Sequence, residues 1–288
     1  MRWTEPLTGR GDHFLELQYV HSVLDAPTAH AWGVRLGHVT VMVHSGSLGT
    51  GHLAGTLALN LATSVYPKGL AHPANGFFPL LTGEQNAAAL QGMRDALHTA
   101  GNFAAVNRLF LVLMATAVLQ GTIGDCEFPL LYDAAHNFIW QEDEHWLQRK
   151  GATPARGYEA MQGTPFADTG ELVLVPGSMG ASSVVLAGQG HPQALHSASH
   201  GAGRKQARGE AMHAHEDEFR QFLHDFRVVT PIDWRRARAD VRAQKLAELK
   251  QEAPFAYKGI GPVIQTLEQT GIARPVAELW LLLTVKGW

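Results

Sequence analysis

The sequence predicts an α+β fold, a single domain of mixed sheets with helices around them. Three observations carry this. Strand-like and helix-like segments are intermingled without the regular β-α-β alternation of a doubly wound sheet. The 288 residues, 45% hydrophobic and 17% charged, are enough to bury a core unaided, with roughly three quarters of the unfolded surface going inside. The single cysteine, Cys126, excludes a disulfide-stapled scaffold and reads as a buried structural thiol.

Each element follows from its residue pattern. Phe14-Leu15-Glu16-Leu17-Gln18-Tyr19-Val20 alternates, as a half-buried strand does. Val39-Thr40-Val41-Met42-Val43-His44 is β-branched and reads as a buried strand. It runs into Ser45-Gly46-Ser47-Leu48-Gly49-Thr50-Gly51-His52, whose glycines mark a tight loop or close approach to a ligand. The first sixty residues thus read as strands and loops. Over residues 82–120 Ala, Leu, Gln, Met and Arg dominate and predict helix, opened by Thr82-Gly83-Glu84 and split in two at Gly101. A further helix is expected over 129–148 and a loop over 153–169. Leu172–Val175 reads as a strand entering Pro176-Gly177-Ser178-Met179-Gly180, and 182–186 as another β-branched piece. Residues 203–226 read as a charged helix, 234–250 as a basic stretch and 276–285 as an apolar strand or short helix.

Composition removes several function classes. With 23 basic against 26 acidic residues the formal charge is −3, which excludes a globally basic nucleic-acid coat. Glycine and proline are near the globular average, against a disordered or fibrous chain. The longest apolar run, 109–119, spans 11 residues and includes Thr116, short of the ~20 a bilayer needs. Met1-Arg2-Trp3-Thr4-Glu5-Pro6 contains no apolar signal core. The expectation is a soluble cytoplasmic chain with no membrane partner.

The outlying number is 16 histidines. Histidine ligates metals and titrates near neutrality. The chain has no P-loop, no His-Glu-x-x-His helix, no Cys-x-x-Cys pair and no G-x-S-x-G elbow. What recurs is a histidine beside a glycine-rich loop, at Gly11-Asp12-His13-Phe14, at His44-Ser45-Gly46-Ser47 and at Ser199-His200-Gly201-Ala202-Gly203-Arg204. Gly177-Ser178-Met179-Gly180 shares the loop chemistry without the histidine. Such turns present successive backbone N–H groups to phosphate oxygens, and a histidine there can ligate a metal or act as a nucleophile. His136-Asn137 is placed inside the 129–148 helix, where a core histidine is the simpler reading, and Glu142, Asp143, Glu144 and His145 read as its solvated face.

Taken in order, these segments resemble the RtcB-type RNA-splicing ligases. Gly11-Asp12-His13-Phe14-Leu15-Glu16 is similar to the family's G-N-H-F-x-E, and His44-Ser45-Gly46-Ser47 to its H-S-G-S-R-G. Gly101-Asn102-Phe103-Ala104 with Asn107-Arg108 resembles A-N-F-A-x-x-N-R, and Asp133-Ala134-Ala135-His136-Asn137 resembles D-x-A-H-N. The Pro176 and Ser199 loops match closely, as do Glu252-Ala253-Pro254, Ala256-Tyr257-Lys258, Arg274-Pro275 and Val285-Lys286-Gly287. The matches are collinear from residue 9 to residue 287.

The resemblance implies a GTP- and Mn2+-dependent ligase that joins RNA 3′-phosphate or 2′,3′-cyclic phosphate ends to 5′-hydroxyl ends, in RNA repair or tRNA splicing, with an accessory activating protein as a further partner. It implies His200 as the catalytic nucleophile that takes GMP, and His13, His44 and His136 as metal ligands. It implies a guanylate site of Asp12, His13, Phe14, Leu15, Glu16, His136, Asn137, Pro176, Gly177, Ser178, Met179, Ser183, His200, Gly201, Ala202, Gly203 and Lys286. Arg204, Lys205, Arg208 and the basic residues of 235–250 are candidate RNA-backbone contacts. The chain also departs from the family. The upstream D-x-x-C-G segment, which supplies an Asp and a Cys metal ligand, does not precede the Gly11 motif, so residues 1–288 read as an N-terminally shortened ligase domain. Asp12 replaces asparagine, and Leu48 stands where arginine is frequent. A truncated fragment, an inactive GMP- or RNA-binding paralogue, and a metal-dependent cyclic phosphodiesterase are the other readings.

Overall fold

The computed structural model describes residues 13–79, 83–142, 144–213, 215–231, 233 and 235–287. In chain order the elements are β1 (Phe14–Val23), α1 (Ala26–Ala31), β2 (Val39–His44), α2 (Leu48–Ser64), α3 (Ala87–Ile123), β3 (Asn137–Glu142), β4 (His145–Lys150), β5 (Ala152–Pro154), β6 (Leu172–Val175), β7 (Ser183–Gly188), β8 (Ser197–Ser199), α4 (Arg208–His213), α5 (Glu216–Asp225), β9 (Val228–Val229), α6 (Ala239–Lys250), α7 (Ile260–Gln269) and β10 (Ala273–Val285). Helices and largely antiparallel sheets together make the α+β fold that the sequence predicts.

The main sheet has the order β2-β1-β10-β7-β6, with β9 beside the end of β10. Alternation in β1 turns Phe14, Glu16, Gln18 and Val20 inward and leaves Leu15, Leu17 and Tyr19 half-buried on the other face. On the inward face Phe14, Met42, Leu172, Val185 and Val276 pack with Trp32, Met161 and Phe166. On the opposite face Val173, Val175, Val184 and Leu186 pack against Ile264 and Leu267 of α7. A third cluster gathers Phe219 and Leu223 of α5, Leu249 of α6 and Phe255 around Met179.

The registers Phe14↔His44, Leu15↔Val285, Leu279↔Ser183 and Val175↔Val184 put five strand ends at one end of the sheet. These are the start of β1, the end of β2, the end of β10, the start of β7 and the end of β6. His13, His44, Lys286, Ser183 and Pro176 all sit there. Antiparallel pairing therefore gathers motifs that lie up to 273 residues apart in sequence.

Several local expectations are corrected. Val39–His44 is an edge strand and mostly half-exposed, because among the described residues β1 alone pairs with it. The 45–52 loop is short, and α2 begins at Leu48. Gly101 does not divide the long helix; α3 continues through it for 37 residues. Among the described residues of 129–148 there is no helix. His136 ends a coil, and Phe138-Ile139-Trp140 pair in register with Leu147-Gln148-Arg149 as a hairpin, the ladder favoured by aromatic and branched residues. Glu142, Glu144 and His145 lie at its turn. The 203–226 helix is two helices, α4 and α5. Cys126 is half-buried rather than buried.

Helix continuity also changes the membrane arithmetic. From Glu84 to Ile123 the helix is long and apolar enough, by length and composition, to cross a membrane, and 11% of its most apolar window is buried. Its middle, however, is tied into the site by Asn107 and Arg108.

Candidate functional site

His44 leaves the edge strand β2, His136 leaves the coil before β3, and His200 follows β8. All three line one cavity of about 460 Å³ with His13, Asn137 and Pro176. The Nε2 atoms of His44 and His136 are 2.9 Å apart. His136 stacks on His200 at 4.3 Å between ring centroids, and His44 meets His200 edge-on at 6.2 Å. His13 lies 5.8 Å from His44, ring to ring, and Phe14 packs edge-on against His44 at 5.2 Å. The Nδ1 atom of His200 is buried and has no hydrogen-bond partner among the described residues. A larger hollow of about 920 Å³, between Leu24, Asp25, Ile264, Glu268 and Arg274, contains none of these histidines.

The surrounding residues fix this arrangement. Asn107 of α3, 4% exposed, donates to Ser45 Oγ at 3.0 Å and to the Gly46 carbonyl at 3.1 Å. Arg108 donates through Nε and Nη2 to the two oxygens of Asp133 at 2.5 and 2.7 Å, and through Nη1 to the Ser45 carbonyl at 3.3 Å. Asn137 Oδ1 accepts from the Gly151 amide at 3.1 Å, and the His200 amide donates to the Gly151 carbonyl at 3.3 Å. Arg149, 2% exposed, pairs with Glu142 at 2.7 Å and donates to Ser197 Oγ at 2.8 Å, which ties the hairpin to β8. Next to the D-x-A-H-N coil, Tyr132 donates to Glu171, and Arg156 clasps the same carboxylate at 2.6 and 2.9 Å. Burial alone would raise the Glu171 carboxyl, but the hydrogen bonds from Arg156 and Tyr132 prevail and hold it below its ordinary range.

Behind the cavity runs a buried polar strip. Gln18 donates to Glu16 at 2.8 Å and to Ser183 Oγ at 3.1 Å, and the Gly177 amide donates to that hydroxyl at 3.3 Å. Thr284 donates to Glu16 at 3.0 Å. Burial pushes the Glu16 carboxyl up to about 7, opposed by its bonds from Thr284 and Gln18 and by the Lys286 charge. Lys286, 5% exposed, donates to the His13 carbonyl at 3.1 Å. A Cβ on Gly177 would lie 2.2 Å from the Ser182 carbonyl oxygen, so the loop closes this tightly only with glycine.

The residues expected from the sequence therefore fall into three groups. His13, His44, His136, Asn137, Pro176 and His200 share the cavity. Glu16, Gly177, Ser183 and Lys286 belong to the polar strip beside it. Of the remainder, Phe14 and Met179 are buried in hydrophobic clusters, Ala202 is buried, and Leu15 faces away from Glu16. Ser178 closes its turn through its carbonyl to the Ala181 amide. Gly201 accepts from Ser199 Oγ, and Gly203 accepts from the Lys258 amide. Asp12 lies outside the described residues. Sequence reasoning missed Gln18, Thr284 and Arg149. The signal for the first was a polar residue at an inward position of an alternating strand. Arg204, a candidate RNA contact, is turned inward to Glu252, Tyr257 and the Gln251 carbonyl, and Lys250 is 4% exposed and paired with Glu216 at 2.7 Å. Both act as braces within the chain.

The donors fit a divalent ion in part. Two imidazole nitrogens at ~2.1 Å from one ion stand ~3.4 Å apart at the tetrahedral angle and ~3 Å apart at a right angle, and the 2.9 Å His44–His136 separation is close to the latter. Among the described residues, no three His, Cys, Asp or Glu side chains are grouped closely enough to hold a metal unaided.

A family model described as tRNA-splicing ligase RtcB matches residues 6–287. Curated relatives named tRNA-splicing ligase RtcB include one from Pyrococcus furiosus, 34% identical over 298 residues, covering 97% of this chain and 29% of the relative. Another, from Thermococcus kodakarensis, is 34% identical over 301 residues, covering 97% and 58%. An RNA-splicing ligase RtcB from Mycobacterium bovis is 32% identical over 292 residues, covering 97% and 64%. The chain spans less than two thirds of the length of these relatives. With a match that runs from before β1 to the end of β10 and takes in every strand end at the histidine cavity, the chain belongs to the RtcB family.

Proposed function

We propose that this chain is an RNA ligase that joins a 3′-phosphate or 2′,3′-cyclic phosphate end to a 5′-hydroxyl end, with GTP as co-substrate and a divalent ion, Mn2+, at the histidines. The observation that supports this best is the meeting of His44, His136 and His200, from three separate segments, in one cavity beside the Pro176 loop.

His200 is the nucleophile. Its ring nitrogen forms a bond to the α-phosphorus of GTP, the bond to the β-phosphate oxygen breaks, and pyrophosphate leaves. An oxygen of the RNA 3′-phosphate then takes the guanylyl group from His200, which restores the free imidazole. The 5′-hydroxyl oxygen attacks the activated phosphorus, loses its proton and displaces GMP. A cyclic end is first opened by water to the 3′-phosphate. An imidazole serves in such a sequence because it is largely neutral near pH 7 and leaves readily from phosphorus.

His44 and His136 would hold the ion with His13 beside them, and oxygen ligands complete its shell. When bound, it neutralises charge on the phosphate oxygens. Stacking against His136 holds the His200 ring, and the hydrogen bond that its backbone amide donates to the Gly151 carbonyl holds its backbone. Glu16, Ser183 and Lys286 supply the polar groups next to the cavity that recognise guanylate. The backbone N–H groups of Ser178 and Met179 and of Gly201 to Gly203 suit phosphate oxygens.

The test is an RNA with a 2′,3′-cyclic phosphate and a 5′-hydroxyl, incubated with the chain, GTP and Mn2+. A joined product that disappears without GTP is the expected result. Opening of the cyclic end with no joining would replace ligation by phosphodiesterase activity.

A further inference from the structure

We infer that Arg108 and Asp133 form a strap that sets the spacing of His44 and His136, making both positioning residues for the cation. This rests on the cation reading proposed above.

The two histidines have no common secondary structure. His44 ends an edge strand that, among the described residues, pairs with β1 alone. His136 ends a coil that begins at Gly124, beyond the end of α3, and runs to β3, which pairs only with β4. The Gly151 amide donates to the His136 carbonyl at 2.9 Å and anchors the coil's last residue to the hairpin, while residues 124–135 before it belong to no strand ladder. Two side chains a few residues before His136 tie that stretch down. Tyr132 binds inward to Glu171, and Asp133 binds outward to Arg108.

Arg108 reaches both histidine segments at once. Its fork holds the two Asp133 oxygens, three residues before His136, and its Nη1 holds the carbonyl of Ser45, the residue after His44. The paired forks fix angle as well as distance. Asn107, one residue earlier on α3, holds Ser45 Oγ and the Gly46 carbonyl, so the His44 side is clamped twice. The Arg108 side chain is 14% exposed and that of Asp133 39%. The pair is bidentate and partly buried, so its loss can cost the fold as well as the site, and thermal unfolding separates the two.

The experiment measures Mn2+ binding to the 288-residue chain by titration calorimetry, without GTP or RNA, with thermal unfolding recorded in parallel. Arg108→Ala, Asp133→Ala and the double variant complete a cycle. Each single variant is expected to weaken Mn2+ binding about 10- to 100-fold, the range for groups that orient a ligand from behind. The double variant should lose no more than the worse single, because the two residues form one contact. Asp133→Asn, which keeps the shape, substitutes if a truncation does not fold. Affinities within twofold of wild type, or losses that add, would overturn the strap and leave the cation reading intact. A wild-type chain that binds no Mn2+ would overturn both.

Discussion

Glu16 shows how a sequence pattern conceals a chemical role. Its position in an alternating strand makes it inward-facing, yet it is a carboxyl, and burial raises it to about 7 against an ordinary value of 4.5. The folded chain therefore keeps a proton that the unfolded chain releases between those two values. The stability from this group is full below pH 4.5 and is lost as pH rises toward 7. Glu16→Gln retains the hydrogen-bonding shape and does not titrate. It should raise stability at pH 8 by about 1–3 kcal/mol over wild type and flatten the dependence between pH 5 and 8, measured by urea unfolding. An unchanged slope would show that Glu16 is not the titrating group. His13, His44 and His200 were legible because each adjoins a glycine-rich loop; His136 does not, and its residue pattern alone reads as a core histidine in a helix. Gln18 and Thr284 were not, because nothing in a strand's own sequence shows which cross-strand partner a buried polar group meets.

Among the elements, α3 and the β3–β4 hairpin were the least legible. Gly101 reads as a helix break when only helix propensity is weighed. In the fold it is a contact point: a Cβ there would lie 2.5 Å from Cε2 of Phe138 on the hairpin. The gain of about 1 kcal/mol expected for Ala in a helix interior is then opposed by an overpacking cost of about 1–3 kcal/mol. Gly101→Ala should be destabilising in the wild-type chain and stabilising in a Phe138→Ala background, with chemical denaturation reading both. Stabilisation in both would remove the contact from the account. The hairpin was misread because its turn carries Glu142 and Glu144 instead of Asn-Gly or Asp-Gly. By contrast, β1, β6 and β7 were visible because alternation or branched runs were flanked by loop residues.

At the scale of the whole molecule, the exposed surface is 16,633 Å², whereas a compact chain of 31.3 kDa exposes roughly 12,000 Å². Part of the excess is apolar. Leu109, Phe110, Leu113, Met114, Val118 and Ile123 on the second half of α3 are 47–67% exposed, so one helix presents six large apolar side chains to solvent. The chain should bind a hydrophobic dye such as ANS in its native state, and Leu113→Glu with Val118→Glu should reduce that fluorescence while far-UV circular dichroism is unchanged. Unaltered dye binding would place the accessible apolar surface elsewhere. The family was legible from collinear motifs, whose strand ends the antiparallel sheet brings to one end; α2 was not legible, since its glycines obscured a helix.

The central claim is that the cavity of His44, His136 and His200 carries guanylate on His200. The most direct measurement is incubation with α-labelled GTP and Mn2+, followed by detection of acid-labile label on the protein, with His200→Ala in parallel. The account predicts label on the wild-type chain and none on His200→Ala. Label retained by His200→Ala, or none on wild type at any Mn2+ concentration, would contradict it.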